Sequence, residues 1–285
     1  MRWPGRIMLR TMLVAAGVLA ACAARAAETA THAEAVGSAD TVLAALKAGN
    51  QRHVNARYTH PHQTTSRRLE LARGQQPRAV ILTCADSRVA PEIVFDQGLG
   101  DLFVIRVAGN IAPPAEVASI EYAVEHLHTP LVVVMGHQSC GAVGAAIEGG
   151  EAPGHLPALI DSIRPVVEKA RLLGGNLSNN AVRLNVERVV DQLRSSTPLL
   201  AGEVAAGKLR IVGAVYSLDT GQVGWLPAAP SASNRRSQGL AAASHTHLKP
   251  ESSPGSPEDQ GSGRAASSRR SAGRRAPPRT ARPSP

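Results

Sequence analysis

Two short clusters in this chain hold side chains suited to binding a metal ion and working with it: Cys84-Ala85-Asp86-Ser87-Arg88 and His137-Gln138-Ser139-Cys140. Thiolate and imidazole suit zinc, and four donors complete its tetrahedron. His137 and Cys140 are separated by two residues, a reach that lets one strand-to-helix turn aim both at a single ion. Cys84 must then come from a neighbouring strand. A lone His-x-x-Cys would be weak evidence, because a buried Cys is commonly just a small hydrophobe. Paired with Cys-x-Asp-x-Arg it becomes a strong signal, and the cofactor it predicts is one Zn2+ per chain. A Cys84–Cys140 disulfide is the competing reading. It gives no reason for His137 or for the Asp86–Arg88 pair.

The residue types also define a chemistry. Three protein ligands leave a fourth position for water, whose pKa a catalytic zinc lowers from about 16 to about 7. Asp86 would accept the proton of the resulting hydroxide in a hydrogen bond and so aim a lone pair at substrate. Arg88, two residues on, would hold Asp86 ionised and oriented through a bidentate pair.

Each cluster comes directly after a run that reads as a buried strand. Ala79-Val80-Ile81-Leu82-Thr83 precedes the first and Pro130-Leu131-Val132-Val133-Val134-Met135-Gly136 the second. Short apolar, β-branched runs of this kind are what parallel strands look like when both sheet faces are covered. Ligands of such sheets gather at the carboxyl ends of the strands. Further strands are predicted over 101–107 and 209–216, with a closing antiparallel hairpin at 222–226. Helices are predicted over 38–58, 65–74, 117–127, 141–147, 156–173, 181–193 and 199–206. Strand-helix-strand alternation gives an α/β fold: a mostly parallel β-sheet of about four parallel strands plus an antiparallel edge strand, flanked by helices. The helix beginning at Gly141 would point free N–H groups and its positive end at thiolates and other anions close by, which makes Gly141 a candidate substrate contact.

On these residues the chain resembles a β-class carbonic anhydrase of the plant-like, open-site bacterial type. The resemblance extends over about residues 37–226 and includes Gly49-Asn50-Gln51-Arg52, the run from Phe95 to Arg106, Ser119-Ile120-Glu121-Tyr122-Ala123-Val124 and Gly213-Ala214-Val215-Tyr216. It implies zinc-dependent, reversible hydration of carbon dioxide to bicarbonate and a proton. Cys84, His137 and Cys140 would be the zinc ligands, and Asp86 with Arg88 the catalytic dyad. In some members the aspartate swings onto zinc and closes the site; regulated members usually carry a tryptophan three residues before the first cysteine. Here that residue is Ile81, which predicts the open form. Gln75 would donate to substrate from across a dimer interface, a solvated loop being the plain alternative for it and for Gln76. Phe103 and Tyr122 would surround the carbon dioxide pocket or simply pack in the core, and Ala108 would line the same pocket. The helix over 38–58 would pack on a partner subunit, although His53 departs from a position usually aromatic. The expected assembly is a homodimer or a tetramer of dimers. His60-Pro61-His62 reads as an exposed loop rather than a metal site.

Charge separates the chain into parts. Of 285 residues and a net charge of +9, residues 1–27 contribute +4 and residues 230–285 contribute +7, leaving −2 for the middle. The catalytic domain, residues 37–229, is thus near neutral, and no specific nucleic acid is expected as its partner. Arg2, Arg6 and Arg10 leading into an apolar stretch too short to span a bilayer read as an export signal. Cleavage after Ala26 gives a signal peptide 1–26 and a periplasmic protein. A lipoprotein signal 1–21 would instead leave Cys22 lipidated and the protein anchored to the membrane, facing the periplasm. Residues 27–36 form a spacer. Residues 230–285, rich in Ser, Pro and Arg, lack apolar periodicity and read as a disordered tail. His245 and His247 there are incidental, and the tail's composition also fits frameshifted translation of GC-rich DNA. Rival functions are carbon disulfide or carbonyl sulfide hydrolysis on the same fold, a non-catalytic structural zinc module, and an adaptor for anionic surfaces working through the basic tail.

Overall fold

A computed structural model describes residues 37–227. The export signal with Cys22, the spacer and the basic tail with His245 and His247 lie outside the described residues. Within them no helix is long and apolar enough to cross a membrane.

The elements run in the order α1 (Ala39–Val54), α2 (Thr65–Leu71), β1 (Ala79–Thr83), α3 (Pro91–Val94), β2 (Leu102–Arg106), a 3-10 turn (Ala108–Asn110), α4 (Pro114–Leu127), β3 (Leu131–His137), α5 (Gly141–Glu148), α6 (Leu156–Arg171), α7 (Leu177–Arg194), α8 (Leu199–Ala205), β4 (Arg210–Tyr216) and β5 (Val223–Trp225). The sheet order is β2-β1-β3-β4-β5. β1 pairs in parallel with β2 and β3, β3 in parallel with β4, and β5 closes the edge antiparallel to β4. The α/β reading holds, including the four parallel strands and the single antiparallel one.

Every residue of β1 and β3 is buried, as strands lacking a polar alternation should be. One sheet face is covered by Val42, Leu43 and Leu46 of α1 with Val94 and Phe95; the other is covered by Ile120 and Ala123 of α4, Val186 and Val189 of α7, and Leu200 of α8. A third apolar cluster, at the carboxyl ends of the strands, joins Cys84 and Cys140 to Val143, Ile163, Val167 and Val182. Helix ends obey local rules. Ser38 caps α1 by accepting from the Thr41 amide at 3.3 Å, and α4 begins at Pro114 rather than at 117 because proline suits the first helical position.

The Gly49–Arg52 stretch and the run beginning at Phe95 prove to be tied to each other. Asn50 donates to the carbonyls of Val94 and Gly221 and accepts from the Val223 amide, stapling α1 to the end of α3 and to the β5 hairpin. Gly49 is obligatory there, since a Cβ would lie 1.8 Å from the Phe95 carbonyl oxygen. Arg52 donates to Asp96 at 2.5 Å, and Asp96 also accepts from Thr59 and from the His60 amide. Burial opposes ionisation of Asp96, but these donors outweigh it and hold its carboxyl well below the usual carboxylate range.

A carboxyl whose folded pKa is depressed adds stability above its unfolded pKa, near 4, that is lost as pH falls. Asp96→Asn should therefore cost about 3 kcal/mol at pH 7, because it strands a partly buried Arg52. The deficit should shrink below about pH 4. Urea midpoints of the two proteins across that range check both statements.

Candidate metal centre

The centre is built from the carboxyl ends of β1 and β3. Val80 to Thr83 pair in register with Val132 to Met135, and the Thr83 hydroxyl donates to the Met135 carbonyl at 2.8 Å. Cys84 is the first residue beyond β1 and His137 the last of β3. The chain then turns sharply. Ser139 adopts φ 51°, a left-handed conformation that costs about 1 kcal/mol or more outside glycine. The Gln138 amide donates to the Tyr216 carbonyl and its side-chain oxygen accepts from the Leu218 amide, so β4 holds the turn. Cys140 emerges as the residue capping α5.

The sulfurs of Cys84 and Cys140 and a ring nitrogen of His137 lie within 4.8 Å of one another, and all three residues are buried. Among the described residues no other such group of three occurs. The sulfurs are 4.0 Å apart and unbonded, so the disulfide reading does not apply. Two metal–sulfur bonds of about 2.3 Å at the tetrahedral angle put sulfurs about 3.8 Å apart. His137 Nδ1 lies 2.8 Å from the Gln138 carbonyl oxygen, which assigns the proton to Nδ1 and the lone pair to Nε2. Nε2 is buried without any hydrogen-bond partner. An orphaned imidazole lone pair facing two thiols is what a soft-to-borderline cation needs, and the residues fit the group.

Charge adds to the case. The Cys84 thiol is pulled well below its ordinary pKa, first by the hydrogen bond with the Cys140 thiol, with burial opposing. Cys140 is pushed far up by that same bond, by burial and by the charge on Cys84. One thiolate forms readily and the second only with a cation between them. The Gly109 amide donates to Cys84 Sγ at 3.3 Å, and the amides of Ala142 and Val143 help Cys140.

Asp86 sits beside this trio, its Oδ2 3.7 Å from His137 Nε2. Arg88 grips it three ways: Nε to Oδ1 at 2.9 Å, Nη2 to Oδ2 at 2.7 Å, and the backbone amide to Oδ1 at 2.9 Å. The Arg88 hydrogen bond leads the causes that hold the Asp86 carboxyl well below the carboxylate range. Arg106, at the end of β2, donates to the carbonyls of Cys84 and Asp86 at 3.2 and 2.6 Å. Sequence reasoning gives neither Arg106 nor Gly109 a role at the site. The available signal was position, because Arg106 stands in register with Thr83, one residue before Cys84.

The remaining candidates fall at varying distances. Ala108 opens the 3-10 turn whose next residue contacts Cys84, and Gly141 opens α5 directly after Cys140. Gln75 and Gln76 line a cleft of about 650 Å³ with His62, Arg73, Arg78 and Asp101, whose walls include none of Cys84, His137 and Cys140. Phe103 packs against Tyr122, ring centres 6.3 Å apart, in the apolar layer over the sheet rather than in the cluster holding Cys84 and Cys140. Tyr122 is half exposed. His62 pairs with Asp101 and His60 stacks on Tyr58, so neither joins the metal group. His53 bridges the hydroxyls of Tyr58 and Tyr216.

Comparison with known proteins gives a consistent result. The carbonic anhydrase family profile matches residues 79–223. Carbonic anhydrase 2 of Mycobacterium tuberculosis is 46% identical over 182 residues, covering 62% of this chain and 88% of that protein. The carbonic anhydrase of Mycolicibacterium smegmatis is 44% identical over 63% of this chain and 89% of its own length. Among solved structures, a tetrameric β-carbonic anhydrase of the filamentous ascomycete Sordaria macrospora superposes with a TM-score of 0.54 at 26% identity, covering 65% of this chain and 93% of that one.

Cys140→Ser removes one of three donors while keeping side-chain volume. It should lower the bound divalent metal by about tenfold or more, measured by plasma mass spectrometry, with the far-ultraviolet circular dichroism unchanged.

Proposed function

We propose, from the premise that this chain belongs to the carbonic anhydrase family in its β class, that it hydrates carbon dioxide reversibly at a zinc ion held by Cys84, His137 and Cys140. The observation that carries the reading is the buried Cys-His-Cys trio with an arginine-held aspartate at its edge. When bound, zinc supplies a Lewis acid that makes hydroxide available near neutral pH.

The chain's own residues do the rest. His137 presents Nε2 because the Gln138 carbonyl engages Nδ1. Asp86 is kept ionised by Arg88 and so can only accept a hydrogen bond, which orients the attacking oxygen with its lone pair toward substrate. Arg88 engages both carboxylate oxygens, and together with Ile81 this supports the open arrangement. Arg106 fixes the backbone on either side of Ala85, so Cys84 and Asp86 keep their separation. Ala108, next to Gly109, and Gly141, next to Cys140, would border the substrate. Carbon dioxide has no charge and accepts hydrogen bonds poorly, so the apolar surroundings of Ile111 and Val143 suit it.

Gln75, Phe103 and Tyr122 would serve a site through a second copy of the chain, since none of them meets the trio within one chain. The related Sordaria enzyme is tetrameric, which supports assembly as a dimer or a tetramer of dimers. Export to the periplasm is part of the same reading and rests on the basic, then apolar, stretch of residues 1–26.

Asp86→Asn keeps the shape of the carboxylate and its distance from the metal ligands. It should retain one zinc per chain and lose about 100-fold or more in carbon dioxide hydration near pH 7.5, read by stopped-flow with a pH indicator. Arg88→Lys, which cannot form the two-pronged grip, should lose a smaller factor of about ten.

A further inference from the structure

Asn185 lies on α7, outside every stretch assigned to the site, yet it is completely buried. Its Nδ2 donates to the Gly109 carbonyl at 2.7 Å. Gly109 has φ 69°, and a Cβ there would stand 2.6 Å from Ile163 Cδ1, so this peptide is held in a conformation that few other residues tolerate. The amide of the same glycine donates to Cys84 Sγ at 3.3 Å. On the other side, Arg188 Nη2 donates to Asn185 Oδ1 at 3.3 Å. That bond assigns the oxygen and nitrogen of the Asn185 amide, leaving Nδ2 to face Gly109. Arg188 forms no ion pair with a carboxylate among the described residues, and its Nε is buried without a partner. The contacts form one mechanical succession, Arg188 to Asn185 to the Gly109 turn to Cys84, the two peptide units that flank the Gly109 Cα being held at one end and aimed at the sulfur at the other.

We propose that Asn185 is a positioning residue for the metal centre. Anchored by Arg188, it locks the Gly109 turn so that the amide stays aimed at the Cys84 sulfur. A hydrogen bond to a ligating sulfur draws electron density from it and fixes the direction of its remaining lone pairs; the Gly109 carbonyl and amide lie on adjoining peptide units, so Asn185 acts by holding the turn's conformation. The inference rests on the zinc reading above but concerns a helix that supplies no ligand. Loss of the anchor lets the turn relax, frees the sulfur to move, and speeds metal release while leaving the three ligands in place.

The test uses the full chain loaded with zinc, and Asn185→Asp. Aspartate has the same shape and pairs better with Arg188, so the helix stays anchored, but it opposes an acceptor to the Gly109 carbonyl. Zinc release to the chelator 4-(2-pyridylazo)resorcinol should be about tenfold faster than in the parent protein. In the cobalt-substituted protein the sulfur-to-metal charge-transfer band should shift, while the urea midpoint stays the same or rises. Parental release and an unshifted band in a folded Asn185→Asp overturn the proposal. If that variant does not fold, Arg188→Met decides alone, because it leaves the Asn185–Gly109 bond in place and frees only the amide's orientation. A two- to fivefold faster release supports the chain of bonds, and parental behaviour in both readouts overturns it. A parent protein that binds no zinc contradicts the zinc reading itself, a result distinct from either.

Discussion

The site depends on the parallel pairing of β1 with β3. Cys84 leaves the end of one strand, and His137 and Cys140 leave the end of the other, so their meeting is fixed by register alone. A slip of one residue would turn every side chain of a strand to the opposite face and carry Cys84 away from its partners. Both strands are fully buried, which makes a slip costly on both faces at once, and the Thr83 hydroxyl bound to the Met135 carbonyl pins the final rung. Rigid strands then place the sulfurs and the imidazole, and loops supply only the last turn.

That last turn carries the strain and the charge. Ser139 and Gly109 both sit at positive φ, one behind Cys140 and one against Cys84. Their conformations are held by β4, through the Tyr216 carbonyl, and by α7. Two thiols and an imidazole lone pair brought together in a dry cluster repel further ionisation, as the opposite shifts of Cys84 and Cys140 express. The cluster thus suits a cation, which its three donors could hold, and Asp86 beside it is engaged by Arg88.

Much of this was legible in the sequence because the chemistry is dense and the strands are uniform. Unbroken Val, Ile and Leu runs ending in Cys, Asp or His leave little choice of element or of end. What escaped was set by tertiary contact. The single turn of α3 is too short to show a period, and α1 ends at Val54 rather than near 58 because Ala56 turns the chain at positive φ. Gly49, Asn50, Arg52 and Asp96 carried the family resemblance, yet their work is structural: they lock α1 to the loop before β2. Gln75, Phe103 and Tyr122 came from resemblance alone, and a single chain does not bring them to the trio. Gly109 acts through its backbone amide and Arg106 grips backbone carbonyls, contacts of which residue type gives no advance notice.

If Cys84, His137 and Cys140 assemble a metal site competent in carbon dioxide hydration, activity must track the metal in strict proportion. Metal-free full chain should be titrated with zinc and its hydration rate read by stopped-flow at each addition. The rate should rise linearly and break at one zinc per chain. A protein that takes up one zinc per chain and hydrates carbon dioxide no faster than buffer would show that the trio holds metal without catalysing this reaction.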